Sequence, residues 1–218
     1  MKYTILGERC SGTNWLQRLI DDNFNCELTW LNGWKHFFAY DGYDERVLSN
    51  KDVIFLCIVR NPIDYLMSFY NNPHHQSKDR IQNIESFLLN EFYSVWNDTD
   101  EILQDRKFDG NRYKNIFELR SLKCKYVLDT MPTLTSMYHF IRYEDLKKNS
   151  VGILDDIKNK FGLINKNKEY YIEKGYVHQN KVHSNLKCKE NYLINDITKR
   201  IINENLDFEI EQKMGYLL

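Results

Sequence analysis

Residues 2 to 20 read KYTILGERCSGTNWLQRLI, and this stretch decides the fold. Lys2 to Leu6 is a short, largely apolar run. GERCSGTN, Gly7 to Asn14, follows at once, and Trp15, Leu16, Leu19 and Ile20 then recur at helical spacing. The pattern is strand, glycine-containing turn, helix. Gly7 and Gly12 have the G-x-x-x-x-G spacing of a phosphate-binding loop, in the strand-to-helix context that such a loop requires. Backbone N–H groups of Ser11, Gly12, Thr13 and Asn14 then point at an anion, reinforced by the helix dipole. A tight turn without a ligand is the competing reading of a glycine pair alone. The loop also departs from the nucleotide-kinase pattern, in which a Lys reaches the β/γ-phosphates and the next Ser or Thr holds Mg²⁺. Thr13 and Asn14 stand there instead. Such a loop suits anion binding and is poorly equipped for metal-dependent phosphoryl transfer.

Working outward, Val53 to Val59 (VIFLCIV) is continuously apolar and β-branched, as expected of a strand covered on both faces. Arg60-Asn61-Pro62 follows, with Pro62 suited to a first helical position, and Leu66, Phe69 and Tyr70 supply an apolar helix face. Helical spacing continues from Asn83 to Trp96, and Asp98 to Asn111 reads as a polar surface loop. Asn115 to Leu122 reads as helix, Lys125 to Leu128 as a short strand and Met137 to Ile141 as a third core strand. A helix from about Val151 to Phe161 ends at Gly162. Lys166 to Lys189 reads as an irregular basic loop able to close on a ligand. Ile194 to Ile202 and Phe208 to Met214 are helical again. Strands alternating with helices imply an α/β three-layer sandwich with a mainly parallel central sheet, one domain over residues 1–218. Ligands of such sheets sit at the carboxyl ends of the strands.

Composition narrows the function classes. The 218 residues carry 30 Lys and Arg against 31 Asp and Glu, so a net charge of -1 offers no global field for nucleic acid or an anionic membrane. Any anion site is local. No apolar run of about 18 residues exists to span a bilayer, and no signal-peptide core precedes the first strand, so a soluble, cytoplasmic protein is expected. The five cysteines are odd in number and widely spaced, without a CxxC pair, which argues against a disulfide framework or a zinc site.

A second cluster sits after the strand at Val53 to Val59. Arg60 and Ser68 are eight residues apart, roughly two helical turns, within reach of one bound anion. Two anion sites at adjacent strand ends suggest a ligand phosphorylated at two places. At this point the chain resembles the sulfotransferases that use 3′-phosphoadenosine 5′-phosphosulfate (PAPS), which have a P-loop-like α/β fold. CSGTNWLQRLI (10–20) looks like their 5′-phosphosulfate loop, and VIFLCIVRNPIDYLMSFY (53–70) like their 3′-phosphate strand and helix. HFIRYEDLKKN (139–149) looks like their Tyr-Glu-Asp segment, and LDFEIEQKMGY (206–216) like their C-terminal helix.

The resemblance implies that Ser11, Gly12, Thr13 and Asn14 hold the 5′-phosphate and that Trp15 stacks on adenine. It implies that Arg60 and Ser68 bind the 3′-phosphate. Many relatives carry Lys or Arg immediately before Ser-Gly-Thr to stabilise the leaving group; here that position is Cys10. Arg9 is the first choice for the missing cation and Lys35 the second. Lys35 and His36 stand where relatives carry a Lys and His pair, with His36 as general base and Glu8 in reserve. The implied reaction is sulfuryl transfer from PAPS to a hydroxyl, less favourably an amine, of a carbohydrate or small molecule, without metal. 3′-Phosphoadenosine 5′-phosphate (PAP) is the product. The rivals are a P-loop kinase and a non-catalytic nucleotide-binding scaffold, for which Cys10 is the best support. Arg112, Tyr113, Asn115 and Arg120 face either the cleft or solvent. Glu144 and Asp145 read as a helix-start and ion-pair network.

Overall fold

The computed structural model describes residues 1–76, 81–96, 105–172, 194–216 and, as backbone, 176–178 and 181–183. The chain opens with β1 (Lys2–Leu6), α1 (Thr13–Asn23), the two-residue β2 (Glu27–Leu28), α2 (Tyr43–Ser49), β3 (Val53–Val59) and α3 (Pro62–Asn71). Then come α4 (Ile84–Leu89) and α5 (Ile116–Lys125), which runs through a π-helical turn, Tyr126–Thr130, into α6 (Met131–Leu134). β4 (Tyr138–Arg142), α7 (Tyr143–Lys148) and α8 (Ser150–Phe161) follow. A hairpin of β5 (Tyr176–His178) and β6 (Lys181–His183) precedes α9 (Asp196–Asn205) and α10 (Phe208–Lys213).

The central sheet has the order β2-β1-β3-β4 with every pair parallel. β3 shows why the fold has three layers. All seven of its residues are buried. Ile54, Leu56 and Ile58 pack with Trp15, Leu16, Leu154 and Ile157 on one face, while Val53, Phe55, Cys57 and Val59 pack with Val127, Met131, Ile210 and Met214 on the other. Because side chains alternate across a strand, a continuous apolar run has to be covered on both sides. The parallel register pairs Leu6 with Cys57 and Val59 with Arg142, so the segments after β1, β3 and β4 emerge at one edge of the sheet.

Local signals explain most element ends. Asn61 caps α3, its side chain accepting from the N–H groups of Ile63 and Asp64, with Pro62 in the first turn. Gly162 closes α8 in the left-handed conformation at φ 64°.

Two expected elements are corrected. The helix expected over Asn83 to Trp96 stops at Leu89, because Phe92 leaves it to form an antiparallel bridge with Tyr113. Phe87, Leu88 and Phe92 are nonetheless buried in one cluster, which is what their spacing reflected. Lys125 to Leu128 is not a strand but part of the π-helical continuation of α5, with Tyr126 and Val127 buried under the sheet. A short apolar run cannot by itself tell a strand from a buried helix face. Of the expected loops, residues 97–104, 173–175, 179–180 and 184–189 lie outside the described residues, and so do Lys187, Cys188 and Lys189. Among the described residues no helix is long and apolar enough to cross a membrane.

Candidate active site

The loop after β1 is shaped by close packing. A Cβ on Gly7 would sit 2.7 Å from the Ile58 carbonyl oxygen, and one on Gly12 would sit 2.5 Å from Cδ2 of Tyr143. Gly12 also takes φ 93°, a left-handed conformation that costs a side-chain-bearing residue about 1–2 kcal/mol. Ser11 and Thr13 are buried, whereas Cys10, Gly12 and Asn14 are partly exposed along the turn. No side chain caps α1, and the first N–H groups of a helix have no intrahelical acceptor.

The neighbouring strand ends brace this loop. Arg60 donates from Nη1 to the Cys10 carbonyl oxygen at 2.8 Å, and its guanidinium lies 4.8 Å from the centre of the Tyr143 ring. The Cys10 thiol donates to the Asn72 carbonyl oxygen at 3.9 Å, and burial raises its pKa despite the nearby Ser68 hydroxyl and Arg60. The structure therefore brings Cys10, Arg60 and Ser68 into one contiguous cluster rather than two separated anchors.

The segment Lys35-His36 docks on the same loop from the opposite side. Gly7 donates its N–H to the Lys35 carbonyl at 3.0 Å, and Lys35 Nζ donates to Asn14 Oδ1. Burial lowers the Lys35 pKa to about 8, so the amine is mostly charged at neutral pH and titrates just above it. His36 Nδ1 lies 2.6 Å from the Gly7 carbonyl oxygen. A carbonyl only accepts, so in this hydrogen bond Nδ1 carries the proton and a neutral ring keeps its lone pair on Nε2. Burial, followed by the charges of Arg9 and Lys35, holds the His36 pKa well below its ordinary value.

Arg9 requires a correction. It is 1% exposed, with Nη1 on Asp105 at 3.0 Å and Nη2 donating to Ser94 Oγ at 2.6 Å. Lys123 sits in the same cluster and donates to Glu8 at 2.8 Å, to Asp105 at 2.6 Å and to the His36 carbonyl at 2.5 Å. Burial pushes the Asp105 carboxyl up, but Lys123 and Arg9 outweigh it and hold the pKa below its usual value. Glu8 and Asp105 thus answer the charges of Arg9 and Lys123, which commits Arg9 to the interior and removes Glu8 as a reserve base. Of the two candidates for the missing cation, Lys35 is the one whose ammonium meets a side chain of the loop, that of Asn14. Trp15 is 3% exposed and packs edge-on against Tyr143.

The cluster was not foreseen, yet its signal was available. Ile116, Leu119, Arg120, Lys123 and Cys124 fall at the core-facing spacing of an amphipathic helix, so two cations occupy core positions. Arg120 faces neither cleft nor solvent; it pairs with Glu211 through contacts of 2.5 and 2.8 Å and donates to the Arg60 carbonyl at 2.9 Å. Glu144 accepts from the Asn61 N–H and from the Tyr216 hydroxyl, each at 2.8 Å, which ties the chain's end to the start of α3. A cleft of about 450 Å³ opens between the first turn of α3 and α9, lined by Asn61, Asp64 and Lys199 among others, and none of the expected site residues lines it. Among the described residues no group of three or more His, Cys, Asp and Glu is placed to hold a metal ion.

The parallel sheet, the glycine loop and the helices covering both faces define a sulfotransferase-like α/β fold. The crystal structure of mouse sulfotransferase SULT7A1 complexed with PAP matches it with a TM-score of 0.57, over 99% of this chain and 89% of that chain, at 15% sequence identity. No protein-family model and no curated protein matches the chain.

Proposed function

We propose that this protein transfers a sulfuryl group from PAPS to an acceptor hydroxyl. The observation that carries the reading is the double clamp on one loop, with the Lys35 ammonium on Asn14 and the His36 imidazole on the Gly7 carbonyl. It sets a cation at the first turn of α1 and a neutral base at the first residue of the loop. The donor set also fits a bisphosphorylated ligand, since it combines N–H groups of the loop, the Ser68 hydroxyl and the cations Lys35 and Arg60. PAPS supplies an activated sulfuryl group on a phosphate leaving group.

In this reading Gly12, Thr13 and Asn14 hold the 5′-phosphate, and Arg60 and Ser68 bind the 3′-phosphate, next to Cys10. His36 Nε2 takes the acceptor proton as the acceptor oxygen bonds to sulfur. The bridging S–O bond breaks, and its electron pair leaves on the phosphate oxygen of PAP. Lys35 lies where negative charge develops and stabilises it. A bound anion also offsets the field of Arg9 and Lys35, which raises the basicity of His36 when the donor is present. Lys35 fills the role left open by Cys10, which weakens the scaffold reading. Thr13 and Asn14 after Gly12 weigh against a kinase.

Calorimetric titration tests the donor site. PAP is expected to bind wild type without metal, more tightly than ATP with Mg²⁺, and Arg60→Ala and Lys35→Met are each expected to weaken it at least tenfold. Preference for ATP with Mg²⁺, or no response to PAP, overturns the assignment.

A further inference from the structure

Trp30 and Trp34 stack on each other, with ring centroids 4.9 Å apart and planes 19° from parallel. They are nevertheless 44% and 41% exposed, and Leu31 beside them is 57% exposed. Rings of this size normally contribute most when buried. Here they hold each other in a fixed orientation on the surface. The pair adjoins the chemistry: the Trp34 ring meets the His36 ring edge-on at 6.3 Å, and Lys35 Nζ lies 5.7 Å from the Trp34 centroid.

We propose that Trp30 and Trp34 form the acceptor platform, on which a pyranose ring of an oligosaccharide stacks while one of its hydroxyls reaches His36. The proposal rests on the sulfuryl-transfer reading above. Two physical arguments select this occupant. In PAPS the adenine is separated from the sulfuryl group by ribose and the 5′-phosphate, so a ring touching the general base belongs to the acceptor side. A small aryl acceptor needs a pocket that covers 70–90% of its surface. Two indoles exposed by about two-fifths form an open face, which suits one ring of a longer chain whose other residues stay in solvent. The C–H face of a pyranose is apolar and weakly positive, complementary to the negative face of an indole, and its hydroxyls point outward from the stack.

The test uses the full chain, intrinsic tryptophan fluorescence and saturation-transfer NMR. The probes are the tetrasaccharides of β-1,4-linked glucose, β-1,4-linked N-acetylglucosamine and hyaluronan, with 2-naphthol as the aryl arm. At least one tetrasaccharide is expected to bind saturably. Trp30→Ala is expected to weaken it tenfold or more and Trp30→Phe by less, with PAP affinity within twofold of wild type and an unchanged thermal midpoint. Absence of binding by all three sugars, binding indifferent to Trp30→Ala, or capture of 2-naphthol alone overturns the proposal. Sugar binding lost on Trp30→Ala in a protein that ignores PAP overturns the donor reading and leaves the platform standing. PAP binding without sugar binding does the reverse.

Discussion

Two groups of charged side chains lie on either side of the same eight-residue loop, and they do opposite things. Behind it, Glu8, Arg9, Asp105 and Lys123 form a buried cluster whose two cations and two anions cancel. Beside it, Lys35 touches only the neutral amide of Asn14 and the face of Trp34 among its described contacts. A buried charge is tolerable when it is paired and hydrogen-bonded, and removing one partner strands the other. A cation answered inside the fold therefore holds the structure together. One placed against neutral dipoles retains field to offer an incoming anion. Residue type does not separate the two roles; the neighbours do.

The sharpest way to break this contrast is Lys123→Met. It leaves Glu8 and Asp105 to share the single charge of Arg9 and is expected to cost about 3–5 kcal/mol, read by urea denaturation. Lys35→Met, by contrast, is expected to change stability by less than about 1 kcal/mol, since it removes a charge that is partly desolvated and has no carboxylate partner among the described residues. Equal losses in the two variants would erase the distinction. Arg9→Met is next in size, with an expected loss of about 2–4 kcal/mol and PAP affinity retained by the folded fraction. A stable Arg9→Met protein that no longer binds PAP would return Arg9 to the site.

The pH dependence sharpens the contrast from the other side. With its pKa lowered to about 8, Lys35 loses most of its charge as pH rises from 7 to 9. PAP affinity in isothermal titration should fall about tenfold over that range. Lys35→Arg should flatten the profile. The smallest effect concerns stability in weak acid. His36 has a depressed pKa, so below pH 6.5 the unfolded chain takes up a proton that the folded chain does not, and stability falls with falling pH. Relative to His36→Gln, wild type should lose on the order of 1 kcal/mol more between pH 8 and pH 6. Thermal melts across this range that are parallel for the two proteins would show that His36 takes up its proton in the fold as readily as in the unfolded chain.

Much of the frame was legible because it rests on local rules. β3 announced itself by seven apolar residues in a row, α3 by Asn61-Pro62, and the end of α8 by Gly162. The long-range contacts were not legible in the same way. Phe92 has the right spacing to extend α4 and is taken out of it by Tyr113, 21 residues on. Arg9 lies within the loop and Lys35 21 residues past its end, and nothing in their immediate neighbours says which one faces it. Arg9 is turned inward by Asp105, 96 residues away. Arg120 and Lys123 are the exception, because two charges at core positions of an amphipathic helix do signal buried partners, even though they do not name Glu211 or Asp105.

The sequence by itself determined the alternation of strands and helices, the parallel α/β frame and the position of a glycine-containing loop between β1 and α1. These follow from periodicity, from glycine's access to left-handed backbone and from the need to cover an apolar strand on both faces. Only the tertiary structure decided which cation serves that loop, that Trp15 belongs to the core and that Trp30 and Trp34 stay outside it. Those outcomes depend on which distant carboxylate or ring arrives beside each side chain. Electrostatic pairing and packing are properties of proximity in space, and the order of residues along the chain encodes that proximity only through the fold.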